Sequence, residues 1–291
     1  LLEERPVLKL TPLEEGAIYH AVLSSVHTTL RGQGVKRLSE LEREELISIT
    51  RDLLQQVIQR DYAQYFASRR AKVRQQWMDE VLRRFVTSEW EAQRSSALVP
   101  ALFELSFGSK ASGEGWDPRS TDRFLDIPVR GGEQARLRGR IDRVDVLERG
   151  EGACGVVIDY KRGSSEPVSR RMSEGLDLQL GVYLLALGTL FQVEPIGGFY
   201  YSITEARRRG VFVEDHEMLL DPAGGLARND RLSSEEFSSL LDGVRSNVGR
   251  YVQGIRAGDI PVSPKKCEWC AYGGVCRIDP VQAMARGGVE E

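Results

Sequence analysis

The run from Cys154 to Gly163, CGVVIDYKRG, constrains the fold of this chain more than any other segment. A short apolar stretch rich in β-branched residues ends abruptly in Asp159, Tyr160 and Lys161. Such a run suits a central strand covered on both faces, with its charged end at a layer boundary. The covering layers are within reach of a chain of 291 residues, 41% of them hydrophobic. Side chains alternate along a strand, so Asp159 and Lys161, at i and i+2, emerge on one face. A carboxylate beside an ammonium suits phosphodiester hydrolysis: the carboxylate holds a divalent cation and the ammonium offsets developing negative charge. The same spacing, taken alone, also describes an ordinary strand-end ion pair.

The flanking segments alternate between the two periods that would supply those layers. Thr11-Pro12-Leu13-Glu14 combines an N-cap, a proline at the first helical position and the glutamate of a capping box. Helical periodicity is expected over 12–31, 39–63 and 65–95, so the first third is helical. Past residue 100 come strand patterns in FLDIPVR and RLRGRIDRVDVLE, and across the turn signal RGEGA the run already described. A helix is expected over about 173–190, strands in IGGFYYSI and VFVEDHEML, and a Ser-capped helix over 233–257. The expected class is α/β, a central mixed β-sheet flanked by helices. Its parts are 1–98 (helical, carrying a histidine), 99–260 (the core) and 261–291 (a cysteine segment and tail), in one integrated domain.

The 40 Lys and Arg against 43 Asp and Glu leave a formal charge of −3, which excludes a generally basic nucleic-acid coat but not a local basic track. Arg170-Arg171 and Arg207-Arg208-Arg209 flank the charged strand in sequence and are the favoured phosphate track over Arg69 to Arg74 and Arg83-Arg84. No apolar run approaches the ~18 residues of a membrane span, and the first residues lack a signal-peptide layout, so a cytoplasmic protein without membrane association is expected. No G-x-x-x-x-G-K-[ST] phosphate loop occurs.

A second carboxylate, Asp142, lies in Gly139-Arg140-Ile141-Asp142-Arg143-Val144-Asp145. If this strand and the next pair antiparallel about RGEGA, Asp142 sits near Asp159, and a cation between them would relieve their repulsion. Asp145, three residues on, faces the other way and is expected to be an ion-pairing surface residue. Gln179 and Tyr183, four apart, share a helix face. Cys267, Cys270 and Cys276 follow the spacing C-x2-C-x5-C, close enough to hold one soft metal centre. Cys154 reads as a small core residue.

GRIDRVD, then VIDYKRG, then LQLGVY, with GAIYHAVL near the start, resemble the RecB-type branch of the PD-(D/E)XK nuclease superfamily. The resemblance implies a restriction-endonuclease-like core in which His20, Asp142, Asp159 and the Tyr160 carbonyl ligate Mg²⁺ or Mn²⁺. Lys161 would hold or polarise the attacking water, and Gln179 and Tyr183 would touch the substrate backbone. Tyr183 reads equally well as a core aromatic. Glu104 matches a glutamate that the family often carries on an early strand. The implied role is DNA cleavage, mainly of single strands and exonucleolytic rather than endonucleolytic. It would serve bacterial double-strand break repair beside a helicase subunit or fused helicase domain.

The cysteines resemble the iron–sulfur staple of AddB-type helicase–nuclease subunits, which implies a 4Fe–4S cluster. The upstream fourth cysteine of that pattern is missing, so the chain is expected to be a nuclease domain excised from a longer protein; zinc or an empty site is the competing reading. Two other functions fit less well. A stand-alone CRISPR-adaptation nuclease would lack the long insertion at 35–98. A silent DNA-clamping scaffold would have lost an acidic or lysine position, and none is lost.

Overall fold

A computed structural model describes residues 10–109, 116–150, 152–163, 168–220, 227–259 and 275. Three helices come first: α1 (Pro12–Gly32), α2 (Arg43–Asp61) and α3 (Arg69–Ser95). α1 begins as the capping box requires, with the Thr11 hydroxyl accepting from Glu14 N and Glu14 Oε2 accepting from Thr11 N at 2.7 Å. Strands β1 (Val99–Phe107), β2 (Leu125–Pro128), β3 (Gln134–Leu137), β4 (Gly139–Arg149) and β5 (Gly152–Lys161) follow. Then come α4 (Val168–Ser173), α5 (Gln179–Phe191), β6 (Glu194–Ser202), β7 (Arg207–Val213), β8 (Arg231–Leu232) and α6 (Ser234–Ala257). The fold is a mixed α/β structure. Its six-stranded sheet has the order β1-β4-β5-β6-β7-β8, with β5–β6 and β7–β8 parallel and the other pairs antiparallel. Among the described residues no helix is long and apolar enough to cross a membrane.

β5 lies inside the sheet and its two faces feed two cores. Cys154, Val156, Ile158 and Tyr160 join Ile18, Val22, Leu54 and Phe85 in the core beneath α1–α3. Val157 faces the opposite core, with Leu180 and Leu184 of α5 and Val244 of α6. Each fully buried aliphatic chain contributes roughly 1.5–3 kcal/mol, so both layers are held chiefly by apolar burial. Asp159 and Lys161 continue the α5 face, which is what the strand alternation requires.

Two expectations from the sequence need correction. The helix expected over 173–190 begins only at Gln179, and a separate short helix, α4, ends at Ser173 where it was expected to start. Gly175, at φ 72°, ends α4, with its N–H on Met172 O and the Leu176 N–H on Arg171 O. At that φ a side chain would be strained whatever the space around it, which favours glycine. As a result α5 starts at Gln179. The strand expected through VFVEDHEML stops at Val213 and gives way to a 3₁₀ helix over Glu214–Leu219, where apolar alternation yields to the polar run Glu214 to Glu217.

Asp145 is the third correction, being buried rather than a surface residue. Its carboxylate grips Arg143 with both oxygens, Nε to Oδ1 at 2.5 Å and Nη2 to Oδ2 at 2.7 Å. Arg143 is 1% exposed and also donates from Nη1 to Glu89 of α3 and, at 3.1 Å, to the Tyr160 hydroxyl. Glu89 in turn takes Arg208 of β7 at 2.8 Å. Burial opposes the charge on Glu89, but the two guanidiniums outweigh it and hold the carboxyl well below the ordinary range. Glu89→Ala would leave two buried guanidiniums facing one another; we expect a loss of about 3–5 kcal/mol in urea unfolding. The exposed pair Glu80–Arg83 serves as the control, and Glu80→Ala should leave the midpoint nearly unchanged.

Candidate active site

Four elements bring the sequence-predicted residues together. His20 comes from α1, Asp142 from β4, Asp159 and Lys161 from β5, and Gln179 and Tyr183 from the first turns of α5. The β4–β5 ladder runs to the pair Arg143 and Ile158, and one step further Asp142 and Asp159 would stand opposite. There the ladder gives way, and the Asp142 carboxylate accepts the Tyr160 N–H at 2.9 Å. His20 lies over this junction, Nδ1 3.3 Å from Asp142 Oδ2 and Nε2 2.8 Å from the Tyr160 carbonyl.

Asp159 and Lys161 point into the same space. Lys161 Nζ lies 2.6 Å from Asp159 Oδ2 and donates to Gln179 Oε1 at 2.8 Å. The amide of Gln179 donates to Asp159 Oδ1 at 2.9 Å and to the Tyr183 hydroxyl at 3.2 Å. Tyr183 meets both descriptions offered for it, because its ring packs edge-on against Phe107 while its hydroxyl reaches the site. All of these groups line one open cleft of about 1080 Å³.

Glu104 also lines the cleft, by a route that sequence could not reveal. The β1–β4 register passes from Phe103–Arg143 to Leu105–Ile141, skipping Glu104 and Asp142. Glu104 has φ 52°, a left-handed backbone that costs a non-glycine residue about 1–3 kcal/mol and tends to mark functional sites. Its carboxylate pairs with Arg140 at 3.0 Å. Burial pushes its pKa up; Arg140 opposes this and Asp142 adds to it.

The favoured basic track is corrected. None of Arg170, Arg208 and Arg209 lines the cleft; they pair instead with Glu174 at 2.7 Å, Glu89 at 2.8 Å and Asp230 at 3.2 Å. Among the described residues the guanidiniums that line it are those of Arg140, paired with Glu104, Arg162, paired with Glu15, and Arg60, paired with Asp61. A sequence signal for two of them existed: Arg140 precedes Asp142 by two on the same strand, and Arg162 follows Lys161 directly. Cys267, Cys270 and Cys276 lie outside the described residues, and Cys154 is buried in the core.

Among the described residues no group of three or more His, Cys, Asp and Glu side chains stands ready as a metal cage. The electrostatics nevertheless fit a cation. Asp159 is 3% exposed and its Oδ2 receives no hydrogen bond of good geometry. Burial first, then the neighbouring Asp142, push its pKa up to about 6 against the pull of Lys161. Burial disfavours charge on His20, yet its hydrogen bond to Asp142 and the attraction of both carboxylates raise its pKa overall. Two carboxylates, an imidazole and the Tyr160 carbonyl form a donor set suited to a hard divalent ion. The Lys161 ammonium stands beside Asp159 as a counter-charge.

Because the folded pKa of Asp159 lies above its unfolded value, folding takes up a proton between about pH 4 and 6, and the ionised group destabilises the metal-free fold above that window. In EDTA at pH 7.5, Asp159→Asn is therefore expected to raise stability, by at most on the order of 3 kcal/mol. The gain should fade as pH drops towards 4. Thermal melts of both proteins across that range check this; an unchanged or lower melting temperature at pH 7.5 would contradict it.

Comparison with known proteins agrees with this geometry. A family model described as PD-(D/E)XK nuclease superfamily matches residues 2–277. The chain is similar to the B subunit of the ATP-dependent helicase/deoxyribonuclease of Thermoanaerobacter sp. (strain X514), 24% identical over 95% of this chain and 28% of that protein. The proteins of the same name from Natranaerobius thermophilus and Geobacillus thermodenitrificans are each 26% identical, over 96% and 99% of the chain. The chain spans 27% and 28% of their lengths. With the match covering nearly its whole length and both acidic strands meeting at one cleft, the chain belongs to the PD-(D/E)XK nuclease superfamily.

Proposed function

We propose that this chain is the nuclease domain of a bacterial helicase–nuclease like these relatives, cutting single DNA strands at their ends with Mg²⁺ or Mn²⁺ during double-strand break repair in the cytoplasm. The carrying observation is the convergence of His20, Asp142, Asp159, Lys161 and Gln179 at the foot of one cleft. The relatives' name joins a helicase to a deoxyribonuclease, and this chain spans just over a quarter of them. It has no phosphate-binding loop, so the motor belongs to another part or partner. Trimming from a delivered end, rather than internal cutting, suits such a division of labour.

His20, Asp142, Asp159 and the Tyr160 carbonyl would hold the cation. Bound there, it supplies a Lewis acid that lowers the pKa of a water and offsets phosphate charge. The chain's own groups do the rest. Lys161 extends past Asp159 into the cleft, where its ammonium can meet a non-bridging oxygen as charge builds on it. Gln179 bridges Asp159 and Lys161 and so fixes both rotamers, while Tyr183 orients the Gln179 amide. Arg140 and Arg162 flank the site and suit the neighbouring phosphates. Glu104 stands close enough to Asp142 for that carboxylate to disfavour charge on Glu104.

The three clustered cysteines would hold a structural 4Fe–4S cluster completed by a fourth ligand, or zinc in its place. Iron and sulfide analysis of the anaerobically purified longer protein is expected to find both, with loss on Cys270→Ala; zinc without sulfide would decide for the other metal, and neither for an empty site.

Labelled single-stranded DNA with Mg²⁺ or Mn²⁺, and EDTA as control, tests the main reading. Cleavage should require metal and fall at least about 100-fold in Asp159→Ala and in Lys161→Ala. Cutting that persists in either folded variant would overturn it.

A further inference from the structure

Tyr200 belongs to none of the motifs named so far, yet it faces the reacting groups. On β6 it is the register partner of Asp159, and its ring lies beneath the Lys161 ammonium, 4.7 Å from ring centre to Nζ. The ring is buried, and its hydroxyl donates to Asp177 Oδ1 at 2.6 Å. Asp177 stands in the bend between α4 and α5, two residues before Gln179. One short chain of contacts thus joins the bend that positions Gln179 to the lysine that Gln179 holds.

The placement solves a problem that the proposed metal site creates. Lys161 rests 2.6 Å from Asp159 Oδ2, an oxygen that a divalent cation would also use. Two cations on that one oxygen would repel strongly, so a metal bound through Oδ2 would displace Lys161 from it. Gln179 Oε1 offers one hydrogen bond, and an ammonium has three donors. An aromatic face offers the remaining attraction without competing for the metal, because its negative quadrupole binds ammonium but cannot ligate a hard divalent ion through a buried ring. A phenol donating to a carboxylate is polarised towards the ring, which strengthens that face. Burial, and then Asp177, keep the phenol protonated.

We propose that Tyr200, held by Asp177, is a positioning residue that receives the Lys161 ammonium when metal displaces it from Asp159, keeping it in the cleft. The proposal rests on the metal reading of Asp159 given above. The ring matters more in the metal-loaded state than in the free one, so removing it should weaken metal uptake, and only while Lys161 is present.

Calorimetric titration of Mn²⁺ into the whole chain, without DNA, reads this directly. Asp159→Ala tests the underlying reading: it should abolish uptake. Tyr200→Leu is expected to weaken Mn²⁺ binding about tenfold, a loss within the range of a desolvated cation–π contact. In a Lys161→Gln background the same substitution should change the affinity less than about twofold, as a double-mutant cycle requires. Tyr200→Phe retains the ring and should stay within about threefold of wild type. If Tyr200→Leu does not fold, Asp177→Asn carries the test, with a smaller loss that also vanishes with Lys161→Gln. Equal weakening in both backgrounds would make the ring merely structural and overturn the proposal, as would no weakening in either. Wild-type protein that takes up no Mn²⁺ would remove the metal reading and this inference together, whereas normal Asp159-dependent uptake without coupling to Lys161 removes the inference alone.

Discussion

Arg143 is enclosed between the helical layer and the sheet, and the geometry of the cleft depends on how its charge is satisfied. Glu89 comes from α3, Asp145 from its own strand, and the Tyr160 hydroxyl from the next strand. Burying a guanidinium is costly, and the cost is met only when every donor finds an acceptor in good geometry. That demand sets the distance and rotation of α3 against the sheet. It also fixes Tyr160, whose ring points into the helical core while its backbone carbonyl meets His20. The buried ion cluster and the cleft therefore share one residue, used from opposite ends.

The cleft itself is a place where local stability is given up. Burial and a neighbouring carboxylate both disfavour charge on Asp159, and Glu104 sits in a backbone conformation that glutamate disfavours. Neither feature helps the fold. The first suits the proposed divalent cation, whose positive charge would relieve the repulsion between the carboxylates. The two apolar cores on either side of the sheet are large enough to carry that cost.

Much of the site was legible in sequence because it follows strand and helix periods. The i, i+2 spacing of Asp159 and Lys161 and the i, i+4 spacing of Gln179 and Tyr183 each specify a shared face whatever the surroundings. The capping box at Thr11 did the same for the start of α1. Less legible was the sorting of like residues into different tasks. Arg140 and Arg143 are three apart in one strand, and one lines the cleft while the other is sealed in the core. Arg208 and Arg209 look like a phosphate track until Glu89 and Asp230 claim them. Asp145 looked superficial because charge usually is, and it proved buried because Arg143 needed it.

Local order along the chain determined the class of fold, the buried central strand and the faces on which the acidic and lysine side chains emerge, since alternation and capping act over a few residues. The tertiary structure alone decided which charges meet. The break of the β4–β5 ladder at Asp142, the turned backbone of Glu104 and the Tyr200 ring beneath Lys161 all involve segments far apart in sequence. A charge has no local signature of its partner. Burial and register assign that partner, and both are properties of the packed chain.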